Sequence, residues 1–172
     1  MGDRAVLLAD GIEGSRAATE LFFTGFDDSN RTVQAPGLPN HFAWTLGHLA
    51  FVMHRAAERF DGRPLPEHDF AGATRGDAAR FGIEGVAKDS VPISDASAYP
   101  REARCREIFA SAATRLVVAV RGTSDEMLAS TIKWGPREMT LAALASRMAF
   151  HNGFHAGQLA SLRKALGMKG ML

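Results

Sequence analysis

Cysteine is nearly absent: Cys105 stands alone among 172 residues, so an internal disulfide is impossible and a disulfide-stapled scaffold is excluded. A single thiol fits a reducing cytoplasm. Neither sign of charge is in excess, since 20 basic residues face 19 acidic ones for a formal +1. Without a basic surplus to neutralise phosphates, neither a nucleic acid nor an anionic membrane is an expected partner. No uninterrupted apolar run approaches the ~20 residues that span a bilayer. Asp3, Arg4, Asp10 and Glu13 interrupt the first apolar stretch, so no signal peptide is expected. Phosphate-cradling glycine loops, nucleophile elbows, paired-cysteine motifs, internal repeats and low-complexity tracts are all missing.

The composition is that of an ordinary soluble protein, with 46% hydrophobic and 23% charged residues. The length suits one domain, spanning 1–172, able to bury roughly 70% of its unfolded surface. Apolar spacings of three and four dominate and strict alternation is scarce, which predicts an all-α chain.

Four helices are expected. The first runs from Arg4 to Phe26, with Ala5, Leu8, Ile12, Thr19, Phe22, Phe23 and Phe26 on one side. The second starts at an Asn40 N-cap and reaches Phe60, where Asp61-Gly62 and Pro64 end it. Pro100 opens the third, which Gly122 stops. Thr140 caps the fourth, which continues to Gly167. Four amphipathic helices in one small domain bury their stripes most simply as a four-helix bundle. The loop 27–39 is marked by Asp, Ser, Asn and Pro. The 63–97 connection is the anomaly, because so long a stretch usually signals a lid or a missed element. A helical turn is expected there near Ala78 to Phe81.

The chemistry concentrates on the fourth helix. His151 and His155 occupy consecutive positions of a stripe that otherwise reads Leu141, Leu144, Met148, Leu159, Leu162 and Leu166. Four residues apart on a helix, they share one face. Buried imidazoles need partners or cost roughly 1–3 kcal/mol each. A shared metal satisfies both, and so does a hydrogen-bonded pair at the bundle edge. His48, in the second helix, is the third candidate ligand. Three nitrogen ligands leave a coordination position open, as catalytic sites do, whereas structural zinc sites more often use cysteines.

The remaining polar residues are weaker candidates. His41 precedes His48 by seven residues, or about 10.5 Å along a helix, too far to share an ion with it. It is expected as an exposed first-turn residue or at a pocket mouth. His54 and His68 read as solvated, and Arg163-Lys164 as a solvated pair favoured by the helix dipole. Asn152 stands where zinc proteases of the His-Glu-x-x-His type carry their general base, which argues against a protease. Gln158 shares the ligand face and can orient a ligand or substrate, or simply pack. Cys105 reads as a small buried hydrophobe.

The segment Trp44-Thr45-Leu46-Gly47-His48-Leu49-Ala50 resembles the second-helix motif of the DinB/YfiT-like superfamily. His151-Asn152-Gly153-Phe154-His155-Ala156-Gly157-Gln158-Leu159, then Leu162-Arg163 and Leu166-Gly167, resembles its last-helix motif. Tyr99-Pro100 matches the start of its third helix. The resemblance implies an up-down-down-up four-helix bundle, often a homodimer, with a divalent ion such as zinc or nickel on His48, His151 and His155. Relatives include thiol S-transferases using mycothiol or bacillithiol, a mycothiol-dependent maleylpyruvate isomerase, and the metal-binding domain of enzymes that make thiohistidines. The implied function is thiol transfer from a low-molecular-weight thiol to a small electrophilic substrate. Metal-dependent hydrolysis and a non-catalytic stress-response bundle are the alternatives.

Overall fold

The computed structural model describes residues 2–72 and 78–170. It is mostly helical, with six helices among the described residues: α1 (Asp3–Leu21), α2 (Phe42–Asp61), α3 (Ile83–Val86), α4 (Glu102–Arg121), α5 (Asp125–Ala129) and α6 (Leu141–Ala165). The four long ones pack in a ring in which α1 and α2 each lie against both α4 and α6. Leu46, Leu49, Met53, Ile108, Phe109, Leu116 and Leu144 fill its centre without solvent exposure.

Two small sheets correct the all-α expectation. β1 (Phe70–Ala71) and β2 (Phe81–Gly82) pair in parallel, and β3 (Thr131–Trp134) and β4 (Arg137–Thr140) form an antiparallel hairpin. The hairpin turns through Gly135, whose φ of 59° suits glycine. Four-residue strands with half their side chains in solvent leave little periodic signal. The helical turn expected at 78–81 is instead a turn leading into β2; residues 73–77 lie outside the described residues. The 63–97 connection is thus a β1–β2 pair, α3 and a 3-10 turn at Ala96–Ala98.

Helix boundaries moved for local reasons. α1 stops at Leu21, before Gly25 turns the chain at a φ of 86°. Phe23 and Phe26 still reach the core, where Phe26 stacks on Phe42 at 4.5 Å and Phe23 meets Phe109 edge-on at 5.2 Å. Asn40 is not the cap of α2. His41 is, its Nδ1 accepting from the Trp44 amide at 3.1 Å while Nε2 donates to the Ile93 carbonyl at 3.0 Å. A neutral imidazole offers one acceptor and one donor, and this end of α2 needs both. α4 begins two residues after Pro100, and a distant carboxylate serves its first turn: Asp28 accepts from the Glu102 amide at 2.8 Å. Thr140 caps α6 as expected, accepting from the Ala143 amide at 3.1 Å.

Three residues expected in solvent are buried. His41 is fully enclosed and His54 is 2% exposed. His54 Nδ1 accepts from Arg115 at 3.1 Å, and its Nε2 faces Asp69 at 3.8 Å. Arg163 is also buried, donating to the Lys169 carbonyl at 2.9 Å. His68 is exposed.

Burial, opposed by the Ile93 and Arg31 backbone, pushes His41 down to about 4. Burial and the cations Arg115, His68 and Arg63 hold His54 at about 4 against the pull of Asp61. An unfolded histidine takes up its proton near 6.5, so between pH 6.5 and 4 the unfolded chain binds more protons than the folded one. Stability is therefore full above pH 6.5 and declines as pH falls toward 4. The urea midpoint of the metal-free protein should drop steadily between pH 7 and pH 4.5; a flat profile would mean that these imidazoles are not held neutral.

Candidate metal centre

The first half of α2 is covered on every side, with each residue from His41 to Ala50 buried. His48, in this half, is only 6% exposed. α6 presents His151 and His155 to it across the ring. The ring centroids lie 5.2 Å apart for His48 and His151, 5.0 Å for His48 and His155, and 4.6 Å for His151 and His155. One nitrogen from each lies within 4.8 Å of the others. The three histidines singled out in the sequence thus converge on one point, and they could hold a metal ion.

Hydrogen bonds set the tautomers of two of them. His48 Nδ1 lies 2.8 Å from the Val86 carbonyl, which can only accept, so Nδ1 carries the proton and the Nε2 lone pair is free. His155 Nδ1 donates in the same way to Gln158 Oε1 at 2.8 Å. Asn40 donates to the same oxygen at 3.4 Å. Such outer partners orient ligand rings and raise their basicity. The indole of Trp44 lies flat on His48, 4.8 Å away and 6° from parallel.

Burial lowers all three pKa values. It acts on His48 against the Val86 bond, while His155 falls to about 4 through burial and the His48 ring. His151 falls to about 3, from burial first and then His155, His48 and Arg147. Neutral imidazoles are the form that binds a cation, because a proton and a metal compete for one lone pair. His151 Nδ1 is buried with no hydrogen-bond partner among the described residues, a deficit that an ion bound to this ring would help offset. Three neutral nitrogens, borderline in softness, suit zinc, copper, nickel or iron. The residues present fit a divalent transition ion.

Other candidates fall elsewhere. Asn152 faces α1, donating to Ser15 Oγ at 3.0 Å while its carbonyl accepts from Thr19, so it takes no part in the cluster. His41 serves as the α2 cap, packed edge-on against Tyr99 at 4.6 Å, and opens no pocket mouth. Gln158 lies beside the cluster, as the hydrogen-bond partner of His155 Nδ1. Cys105 is buried, with its thiol pKa pushed far up by burial. A cleft of about 630 Å³ lined by His54, Arg63, Pro64, Thr114 and Arg115 lies apart from the three histidines and shares no residue with them. Sequence reasoning missed Val86, since a carbonyl has no side-chain signature.

A profile of the DinB superfamily matches residues 12–159. The chain belongs to the DinB superfamily. A solved structure described as the conserved protein of locus from Enterococcus faecalis superposes with a TM-score of 0.71 over 94% of this chain and 96% of its own, at 13% identity. At that identity the likeness concerns the DinB fold alone. No curated protein matches the sequence. Among the described residues, no helix is long and apolar enough to cross a membrane.

Proposed function

We propose that this DinB protein is a metal-dependent enzyme that transfers a low-molecular-weight thiol to a small electrophilic substrate. The observation that carries the reading is the cluster of three neutral imidazoles within 4.8 Å, with no carboxylate in the group. A divalent ion on three histidines keeps a position open and favours the deprotonated form of a thiol or water bound there. Zinc or nickel suits the donor set.

This chain's own residues do the rest. Val86 and Gln158 hold two rings with their lone pairs turned inward, and Trp44 walls the site against water. His151, half-buried, marks the side from which a small molecule enters. In the reaction a thiol sulfur bonds to an electrophilic carbon, the thiol proton passes to solvent, and the carbon's leaving group departs with its electron pair.

The same proposal takes the chain as one cytoplasmic domain with up-down-down-up helices. Arg106 lies over Phe42 and Arg115 pairs with Asp61, which supports a parallel course for α2 and α4. Phe23 beside Phe109 and Arg121 beside Asp10 support an antiparallel course for α1 and α4. A homodimer is in keeping with Phe150 and Phe154, which are 70% and 53% exposed and stack at 6.4 Å on the outer face of α6.

Cobalt-substituted protein tests the function, with cysteine as the thiol and chlorodinitrobenzene as the electrophile. Thiol transfer predicts that cysteine shifts the cobalt bands and that the thioether forms faster with protein than without. Turnover of an ester with no thiol present would replace transfer by hydrolysis. Unchanged bands and no turnover would leave a metal-binding bundle without catalysis.

A further inference from the structure

Gly47 sits within the buried first half of α2, where alanine would be favoured by roughly 1 kcal/mol. The reason for glycine is steric. A Cβ here would lie 2.6 Å from Phe81 Cδ1 and 2.7 Å from both Phe81 Cε1 and Val86 Cγ1. Distances below 3.0 Å are not tolerated, and both neighbours are locked in the core, with Phe81 fully enclosed and Val86 1% exposed. The missing side chain thus lets the 81–90 segment lie directly on α2. Two polar bonds use that approach. Val86 accepts from His48 Nδ1 at 2.8 Å, and Ser90 Oγ accepts from Trp44 Nε1 at 2.9 Å, holding the indole that stacks on His48.

We propose that the 81–90 segment is the positioning element of the metal centre, seated through Gly47 so that Val86 and Ser90 set the tautomer and plane of His48. The inference rests on the metal reading above. Val86 is a positioning residue: it acts through His48 and touches no ion or substrate. Coupling between two events is reciprocal. A docked segment raises metal affinity, and bound metal holds the segment in place by the same factor. Loss of one such supporting bond typically costs 10–100-fold in metal affinity.

Cobalt(II) is the probe, with binding and visible spectra measured for the wild type and Gly47→Ala. The variant is expected to keep its helical circular dichroism, bind Co2+ at least tenfold more weakly, and show shifted d–d bands. Wild-type affinity and bands in Gly47→Ala would overturn the proposal, since a merely structural glycine leaves both unchanged in the folded protein. Hydrogen exchange of the wild type, metal-free and cobalt-loaded, keeps the test decisive should the variant fail to fold. Cobalt is expected to slow exchange across 81–90, and protection confined to α2 and α6 would reject the coupling. A wild type that binds no cobalt removes the metal reading and this inference together. A wild type that binds cobalt without protecting 81–90 removes this inference alone.

Discussion

His155→Ala should strip the protein of its metal and leave its helices intact. The substitution removes one of three nitrogens that converge within 4.8 Å, and no carboxylate in the group can replace it. Affinity should fall by more than the 10–100-fold that a lost outer-shell bond costs. α6 should persist because its packing lies elsewhere: Leu141, Leu144, Met148, Leu159 and Leu162 remain buried along the helix. Alanine is also the better helix former. The measurement is metal content of untagged protein, beside thermal unfolding with and without added zinc. A ligand that binds only the native state stabilises it by about 2.7 kcal/mol at a hundredfold excess over Kd. The wild type should therefore melt higher with zinc, and the variant should melt at one temperature under both conditions. Near-stoichiometric metal in purified His155→Ala would mean the ligand assignment is wrong.

Arg115→Ala should be the most destabilising single change outside the apolar core. Arg115 forks onto Asp61, with Nε and Nη2 each 2.9 Å from a carboxylate oxygen, and the two side chains are only 11% and 14% exposed. It also donates to the Pro64 and Arg63 carbonyls and to His54 Nδ1. One guanidinium thus ties the end of α2, the start of the connection and α4 together. Burial pushes the Asp61 carboxyl up, but bonds from Arg115 and Arg63 outweigh it and hold the group well below the usual carboxylate range. Removing the cation leaves the ionised carboxylate with Arg63 as its one remaining side-chain partner and deprives the buried His54 Nδ1 of its donor. Breaking such a pair costs about 3 kcal/mol at the low end of the buried range, or roughly 6–12 °C in Tm for a chain of this size. A Tm within about 2 °C of wild type would show that water already solvates the pair.

The family motifs and the three site histidines were legible in the chain because helical period ties spacing to facing. His151 and His155, four apart in a leucine stripe, had to share a face, and the spacing from Thr140 to Gly167 bounded their helix. The burial of His41 and His54 was not legible, since each answers to a partner remote in sequence. For His41 the partner is the Ile93 carbonyl, 52 positions away, and for His54 it is Arg115, 61 positions away. The strands of 63–97 were hidden for a related reason: two-residue ladders stand on their backbone bonds and leave no repeat.

What the sequence determined by itself was therefore the four long helices, their apolar stripes and the three imidazoles able to ligate. The tertiary structure alone decided that these imidazoles meet, which nitrogen of His48 and of His155 is free, and that the 81–90 segment lies against Gly47. Local order follows from interactions between near neighbours, which spacing records. Tautomer and close approach depend on a carbonyl or a ring brought from dozens of residues away, and only the folded chain brings them.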